Sequence, residues 1–304
     1  MKRAVSVSLG SSRRDKRVEI ELLGQWVRIE RIGTDGDVRK AMALFSELDG
    51  QVDALGVGGF DLTVGTDERP FRLSAGQRLI QGVKRTPVVD GRGLKFTLER
   101  QCIHYIEAEI GDQLQPKQAL LNVAADRYGM ALSLVEAGYA CVFGDLQFAL
   151  GIPVPIRSLR ALNRVIGVIG PVVSRLPAHI LYPTGDAQHQ SVPRFVRWYE
   201  WATVIAGDCH YTLRHMPPRL PGKTIITNTT TPADVARFAE AGVRYLVTTT
   251  PRLEGRSFGT NMIEAALVAV VGKGRPLTRD ELLEIIELLQ LRPQIHRLNA
   301  EGDV

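Results

Sequence analysis

Along the whole chain, short apolar or alternating stretches take turns with segments of helical period. "AVSVSLG" alternates and is rich in β-branched residues, which predicts an opening strand. "RVEIELLG" and "QWVRIERIG" read as a hairpin joined at Gly24-Gln25. "DVRKAMALFSELDG" has helical period, with Asp37 as its N-cap and Gly50 as its stop. "VDALGVGG" reads as a buried strand, "LSAGQRLIQGV" as a second helix, and "TPVVDG" as a short strand running into "GLKFTLERQCIHYIEAEIG". The first hundred residues therefore run β-β-β-α-β-α-β-α.

The polar segment "GDQLQPKQ" is the expected linker, and beyond it strands and helices alternate almost regularly. "ALLNVAA", "ACVFGD", "TVIAGD", "KTIITN" and "RYLVTTT" read as strands; "YGMALSLVEAG", "IRSLRALNRVIGVIG" and "RFVRWYEWA" read as helices. "TPADVARFAEAG" carries Thr231 as N-cap, Pro232 at the first helical position and Asp234 as capping partner. "LTRDELLEIIELLQL" closes the chain as an amphipathic helix boxed by Thr278 and Glu281. Strands apolar on both faces and joined by helices imply a parallel sheet with right-handed crossovers. The expected class is α/β in two lobes, with doubly wound, mostly parallel sheets and a Rossmann-like second lobe. The expected divisions are 1–112, 113–275 and a C-terminal helix and tail over 276–304.

Composition narrows the function classes. A length of 304 residues suits two domains, and 44% apolar with 23% charged residues is ordinary for a globular protein. The net charge of +5 is mild and its arginines are scattered, which argues against a nucleic-acid partner. Cys102, Cys141 and Cys209 lie far apart without a CxxC pair, so a reducing, cytoplasmic setting is expected. The N-terminal "MKRAVSVSLGSSRRDKR" is too polar for a signal peptide, and no stretch approaches the length of a membrane span.

In open parallel sheets, ligands bind beyond the carboxyl ends of the strands. The stretch "NVAADRYGMALSLVEAGYACVFGD", residues 122–145, has the outline of a dinucleotide-binding unit, with one glycine in its turn. Asp126, Tyr128 and Gly129 form that turn, Asp145 follows Ala125 at the spacing of a ribose-binding acid, and Asn228 of "NTTTP" lies on the same edge. Against this set, Asp126 repels a pyrophosphate and Tyr128 is bulky. In "GDCHYTLRHMP", His210 suits a general acid or base oriented by Asp208, the plainer reading being a solvated loop. His210 and His215 are five apart and share no helical face, so no metal site is expected. In "PRLEGRSFGTNMIEAALVAVVG", Arg252, Arg256, Ser257, Thr260 and Asn261 precede an apolar helix and suit a carboxylate or phosphate; the alternative is a capping Thr260 and a surface Arg252–Glu254 pair. In the first lobe, Lys84, Asp90 and Lys95 flank a turn, and Lys84 with Asp90 is the candidate pair for proton movement at a hydroxyl.

The segments "VSVSLGSSRRDKRVEIELLG", "TPVVDGRGLK", "VFGDLQFALGIP", "VIAGDCHY", "IITNTTTP" and "VTTTPRLEGRSFGTNMIEAAL" resemble a bacterial family commonly labelled quinate 5-dehydrogenase. The resemblance spans nearly the whole chain and implies a Rossmann-type enzyme that oxidises a ring hydroxyl with NAD or NADP. The expected function is accordingly nicotinamide-dependent oxidation of a hydroxyl on a polyhydroxylated, quinate- or shikimate-like acid. Two alternatives stand beside it: a non-catalytic protein binding a small anionic metabolite, and a transferase or lyase working through Asp208 and His210. The six leucines and isoleucines at 282–289 present more apolar surface than one packing face requires, which predicts a homodimer.

Overall fold

A computed structural model describes residues 1–177, 191–253 and 255–300. The chain forms two compact units, each assembled from separated segments. One comprises Met1–Leu94, Gly167–Gln188 and Gly259–Gln290; the other comprises Lys95–Ile166, His189–Phe258 and Leu291–Val304. This differs from the expected continuous lobes over 1–112, 113–275 and 276–304.

The first unit holds a five-stranded sheet in which β1 (Lys2–Ser8), β3 (Gln25–Gly33), β4 (Ala54–Gly58) and β7 (Val88–Val89) are parallel. β2 (Lys16–Leu22) runs antiparallel along β3 at the edge. Leu23 and Gly24 join that pair with φ of 51° and 73°, the tight left-handed turn that a two-residue hairpin favours. A small hairpin, β5 (Thr63–Gly65) and β6 (Pro70–Arg72), stands apart from the sheet. Helix α1 (Val38–Leu48) is capped by Asp37, whose carboxylate accepts from the Lys40 amide. It buries Ala41, Phe45 and Leu48 in a core with Val5, Val7, Leu55 and Val57, joined by Leu79 of α2 (Ser74–Leu79).

Short helix α3 (Arg92–Phe96) leads into α4 (Leu98–Ile110), whose buried face is Glu99, Cys102, Ile103 and Ile106. The second unit's sheet comprises β8 (Gln118–Leu121), β9 (Ala140–Phe143), β10 (Val204–Ala206), β11 (Thr224–Thr227) and β12 (Tyr245–Thr248), with a small hairpin of β13 (Arg252–Leu253) and β14 (Arg256–Ser257) after it. The order across the sheet is β9-β8-β10-β11-β12, all parallel, closed by β15 (Gln294–Arg297) running antiparallel. The order reverses between β8 and β10, the switch point at which open α/β sheets open a ligand crevice. The expected α/β class, the mostly parallel sheets and the Rossmann-like second lobe are all present.

Helix α5 (Tyr128–Glu136) links β8 to β9, and α6 (Leu159–Val173) follows β9. Helices α7 (Val196–Trp201), α8 (Cys209–His215) and α9 (Pro232–Glu240) carry Trp198, Tyr199, Leu213 and Phe238 into one core with Leu120, Ile205, Ile225 and Leu246. The capping boxes expected at Thr231–Asp234 and Thr278–Glu281 both form.

Helix α10 (Thr260–Val271), apolar on nearly every side, lies against β1, β3 and β4. That burial draws residues 259–290 into the first unit, which no local pattern could report. In α11 (Arg279–Leu288), Leu282, Ile285 and Ile286 are buried and Leu288 is exposed. Three of the six leucines and isoleucines that suggest a homodimer are thus buried within the chain itself, and Leu283 and Leu289 are half-buried. Among the described residues no helix is long and apolar enough to cross a membrane.

Candidate functional site

The carboxyl edge of the second sheet gathers side chains from four strands. After β8 the chain turns through Asn122 to Arg127 before entering α5. Asp126 pairs with Lys95 from the end of α3, and the side chains are 23% and 9% exposed respectively. Arg127 is buried and pairs through Nη1 with Glu99, which is wholly buried. Arg127 Nη2 donates to Asn228 Oδ1 at 3.1 Å, while Asn228 Nδ2 and Thr249 Oγ1 each donate to Glu99 Oε1 at 3.2 Å. Among the described residues, Glu99 Oε2 and Arg127 Nε have no hydrogen-bond partner, and Nε lies 3.8 Å from Asp126 Oδ2. Burial works against the charge on Arg127, but Glu99, then Asp126 and Asp208, hold the guanidinium firmly protonated.

The structure brings together Asp126, Asn228 and Asp208, but gives several expected site residues other partners. Asp145 accepts from the Ala124 and Ala125 amides at 3.1 and 2.8 Å. Burial, with help from Asp126, pushes its carboxyl up to about 6 against those two hydrogen bonds. The spacing of 20 residues is real, but it brings the acid onto the turn itself. Gly129 leaves room for protein: a Cβ there would lie 2.1 Å from the Lys95 carbonyl oxygen. Tyr128 is buried, its hydroxyl donating to Asn163 Oδ1 at 2.7 Å. A dinucleotide pyrophosphate does not fit this turn in the usual manner. Two amides are held by Asp145, the glycine is covered, and Asp126 adds like charge.

Asp208 meets His210 at the backbone amide. Its carboxylate caps α8 by accepting from the His210 and Tyr211 amides at 2.8 and 3.3 Å, so the stretch that read alternatively as a solvated loop is a helix. His215 is buried on that helix, where burial pushes its imidazole down. Lys84 and Asp90 are not brought together. Lys84 is exposed ahead of β7 with Nζ on the Gln81 carbonyl at 3.0 Å, and Asp90 follows the strand. Asp90 accepts from the Leu62, Thr63 and Arg92 amides at 2.8, 3.2 and 3.1 Å, which fixes its loop.

The expected anion segment is divided between the units. In the second, Ser257 Oγ accepts from the Thr230 amide at 2.7 Å and meets Thr230 Oγ1 at 2.8 Å. Arg252 Nη2 donates to the Gly255 carbonyl across the hairpin at 3.2 Å, while Arg256 is half-buried beside Ser257. In the first unit, Thr260 follows the N-cap Gly259 rather than serving as the cap, and Asn261 Nδ2 donates to Ser6 Oγ at 2.7 Å. Glu254 lies outside the described residues.

Glu99, Arg127 and Lys95 were the groups that sequence reasoning left without a function. The available signal for Glu99 was its position: it shares the apolar stripe of Cys102, Ile103 and Ile106, where an acid needs a buried partner. A second mark is Thr229, a β-branched residue with φ of 59°, strained backbone beside Asn228.

Residues 93–298 match a family described as a domain of unknown function (DUF8754), well over half of the chain. The chain belongs to the DUF8754 family. Ahead of its DUF8754 region, residues 3–90 match a second domain of unknown function, DUF8753. No curated protein matches the sequence. Among solved structures, this DUF8754 chain is similar to an NAD-dependent malic enzyme from Thermotoga maritima, with 12% identity and a TM-score of 0.40 over 99% of this chain and 80% of that one. It is also similar to a glucose-galactose binding protein, GanP, from Geobacillus stearothermophilus, with 10% identity and a TM-score of 0.39 over 98% and 97% of the two chains. Both likenesses are too slight to assign a function to the DUF8754 chain.

Proposed function

We propose that the protein is an enzyme that moves a proton at a hydroxyl group of a small polyhydroxylated compound, through Lys95 and Asp126. The observation that carries this reading is the contact between those two side chains at the carboxyl edge of the second sheet. An ammonium and a carboxylate in contact exchange protons readily with a hydroxyl placed beside them. Lys95 Nζ would take or return the proton, and Asp126 would balance the charge on the nitrogen. Among the described residues, the surrounding loops and α4 contribute the carboxylates Glu99, Asp126, Asp145 and Asp208 beside the cations Lys95 and Arg127. That balance favours a neutral or singly charged polyol over a phosphate ester. The turn after β8 does not take a dinucleotide pyrophosphate in the usual manner, so the proposed proton transfer involves no nicotinamide.

Calorimetric titration with quinate, shikimate and myo-inositol tests the reading on the parent, Lys95→Met and Asp126→Asn. The expected result is that one of the three binds the parent and each substitution weakens it at least about tenfold, or about 1.4 kcal/mol. NADH and NADPH, followed by nicotinamide fluorescence, are expected not to bind. A parent that binds none of the polyols, or variants that bind as the parent does, would refute the proposal. Tight nicotinamide binding would return the oxidoreductase reading implied by the family resemblance.

A further inference from the structure

Arg127 carries five N–H donors in a rigid planar fork. Its two terminal nitrogens are engaged by different residues, Nη1 by Glu99 on α4 and Nη2 by Asn228 after β11. The plane of the guanidinium is therefore fixed, and so is the direction of Nε. That nitrogen is buried without a hydrogen-bond partner among the described residues and lies 3.8 Å from Asp126 Oδ2. The distance is within ion-pair range but too long for a hydrogen bond. Glu99 directs none of its second oxygen to the fork, because all three of its donors converge on Oε1. Asn228 is held in place by a loop whose next residue, Thr229, is in the left-handed region at φ 59°. Strain of this kind persists only where the surroundings over-determine it. The arrangement aims one donor at Asp126 and stops short of it.

We infer that Arg127 is a positioning residue that takes over Asp126 when Lys95 loses its charge, keeping that carboxylate ionised through the proton transfer. The inference rests on the Lys95–Asp126 reading above. When the proton passes from Lys95 Nζ to an alkoxide oxygen of the substrate, an N–H bond breaks and the O–H bond of the hydroxyl forms. The nitrogen keeps its lone pair as a neutral amine, and no electron leaves the system. Asp126 then faces an uncharged group and would itself become a competing proton acceptor. A shift of roughly 1 Å brings its Oδ2 within hydrogen-bond reach of Nε. The Asp126 side chain is 23% exposed and that of Arg127 6%, so the carboxylate rather than the guanidinium is the group that shifts. Glu99 and Asn228 act one step further back, by holding the fork still.

Lys95→Met imitates the uncharged lysine and leaves Arg127, Glu99 and Asn228 in place. In nitrogen-15 spectra of arginine side chains, the Arg127 Hε resonance should move downfield in this variant, and its exchange with solvent should slow by about tenfold or more. Adding Asp126→Asn should abolish both changes. A crystal structure of Lys95→Met should show Asp126 Oδ2 drawn in from 3.8 Å to hydrogen-bond distance of Nε. Lys95→Gln serves the same purpose if the methionine variant does not fold. An Hε resonance unmoved by either lysine variant, or one that moves equally when Asp126 is also replaced, overturns the inference; a purely structural Arg127 gives the first of these results. Loss of polyol binding in the variants together with an unmoved Hε defeats this inference alone. An Hε that responds while no polyol binds supports the coupling and defeats only the proposed reaction.

Discussion

Gly129 of α5 lies so close to Lys95 that a Cβ would come within 2.1 Å of the lysine carbonyl oxygen and 3.3 Å of the Phe96 Cα. The junction between α3 and α4 thus rests directly on the first turn of α5. This approach places Lys95 beside Asp126, three residues before the glycine. Gly129→Ala should therefore lower stability by about 1–3 kcal/mol, the usual cost of overpacking where backbone blocks the added carbon. It should also part Lys95 from Asp126. Urea unfolding reads the first effect and a crystal structure the second. A variant as stable as the parent would mean that α5 moves aside freely.

Glu99 and Arg127 are both buried, and each is the other's main counter-charge. Removing one partner strands the other. Glu99→Met or Arg127→Met alone should destabilise the fold by about 3–5 kcal/mol, while the double replacement should cost distinctly less than the sum. A double-mutant cycle by urea denaturation measures the difference. Additive losses would show that the pair contributes no coupling.

Asp145 has a folded-state carboxyl at about 6, above the ordinary aspartate value near 3.8. Its folded form binds the proton more tightly than the unfolded chain does. The stability it confers is fully present below about pH 4 and is lost as the pH rises through 6. Relative to Asp145→Asn, the parent should lose up to about 3 kcal/mol between pH 4 and pH 7. Unfolding titrations at a series of pH values check this. A difference between the two proteins that does not vary with pH would place the Asp145 carboxyl at its ordinary value.

The helices, strands and caps were legible wherever the cause lay within a few residues. Asp37, Thr231 and Thr278 cap their helices because the donor that each satisfies is three positions away. The apolar runs at β8, β10, β11 and β12 specify strands buried on both faces, hence a parallel sheet. The roles of the ionisable groups followed a different rule. Asp90, Asp145 and Asp208 look alike in sequence, each an acid just past a strand, and each proves to hold backbone amides. The sequence offered Lys84 with Asp90 as the pair for proton movement, and the structure instead sets Lys95 against Asp126. The sequence alone determined the alternation of elements and their caps, because propensity, period and capping act between near neighbours. Only the tertiary structure decided which acid meets which base. Lys95 and Asp126 are 31 residues apart, Glu99 and Arg127 are 28 apart, and Arg127 and Asn228 are 101 apart. Contacts over such separations depend on strand order and on which helix lies on which face. Many sheet arrangements bury the same apolar runs equally well, so the pattern does not encode those contacts.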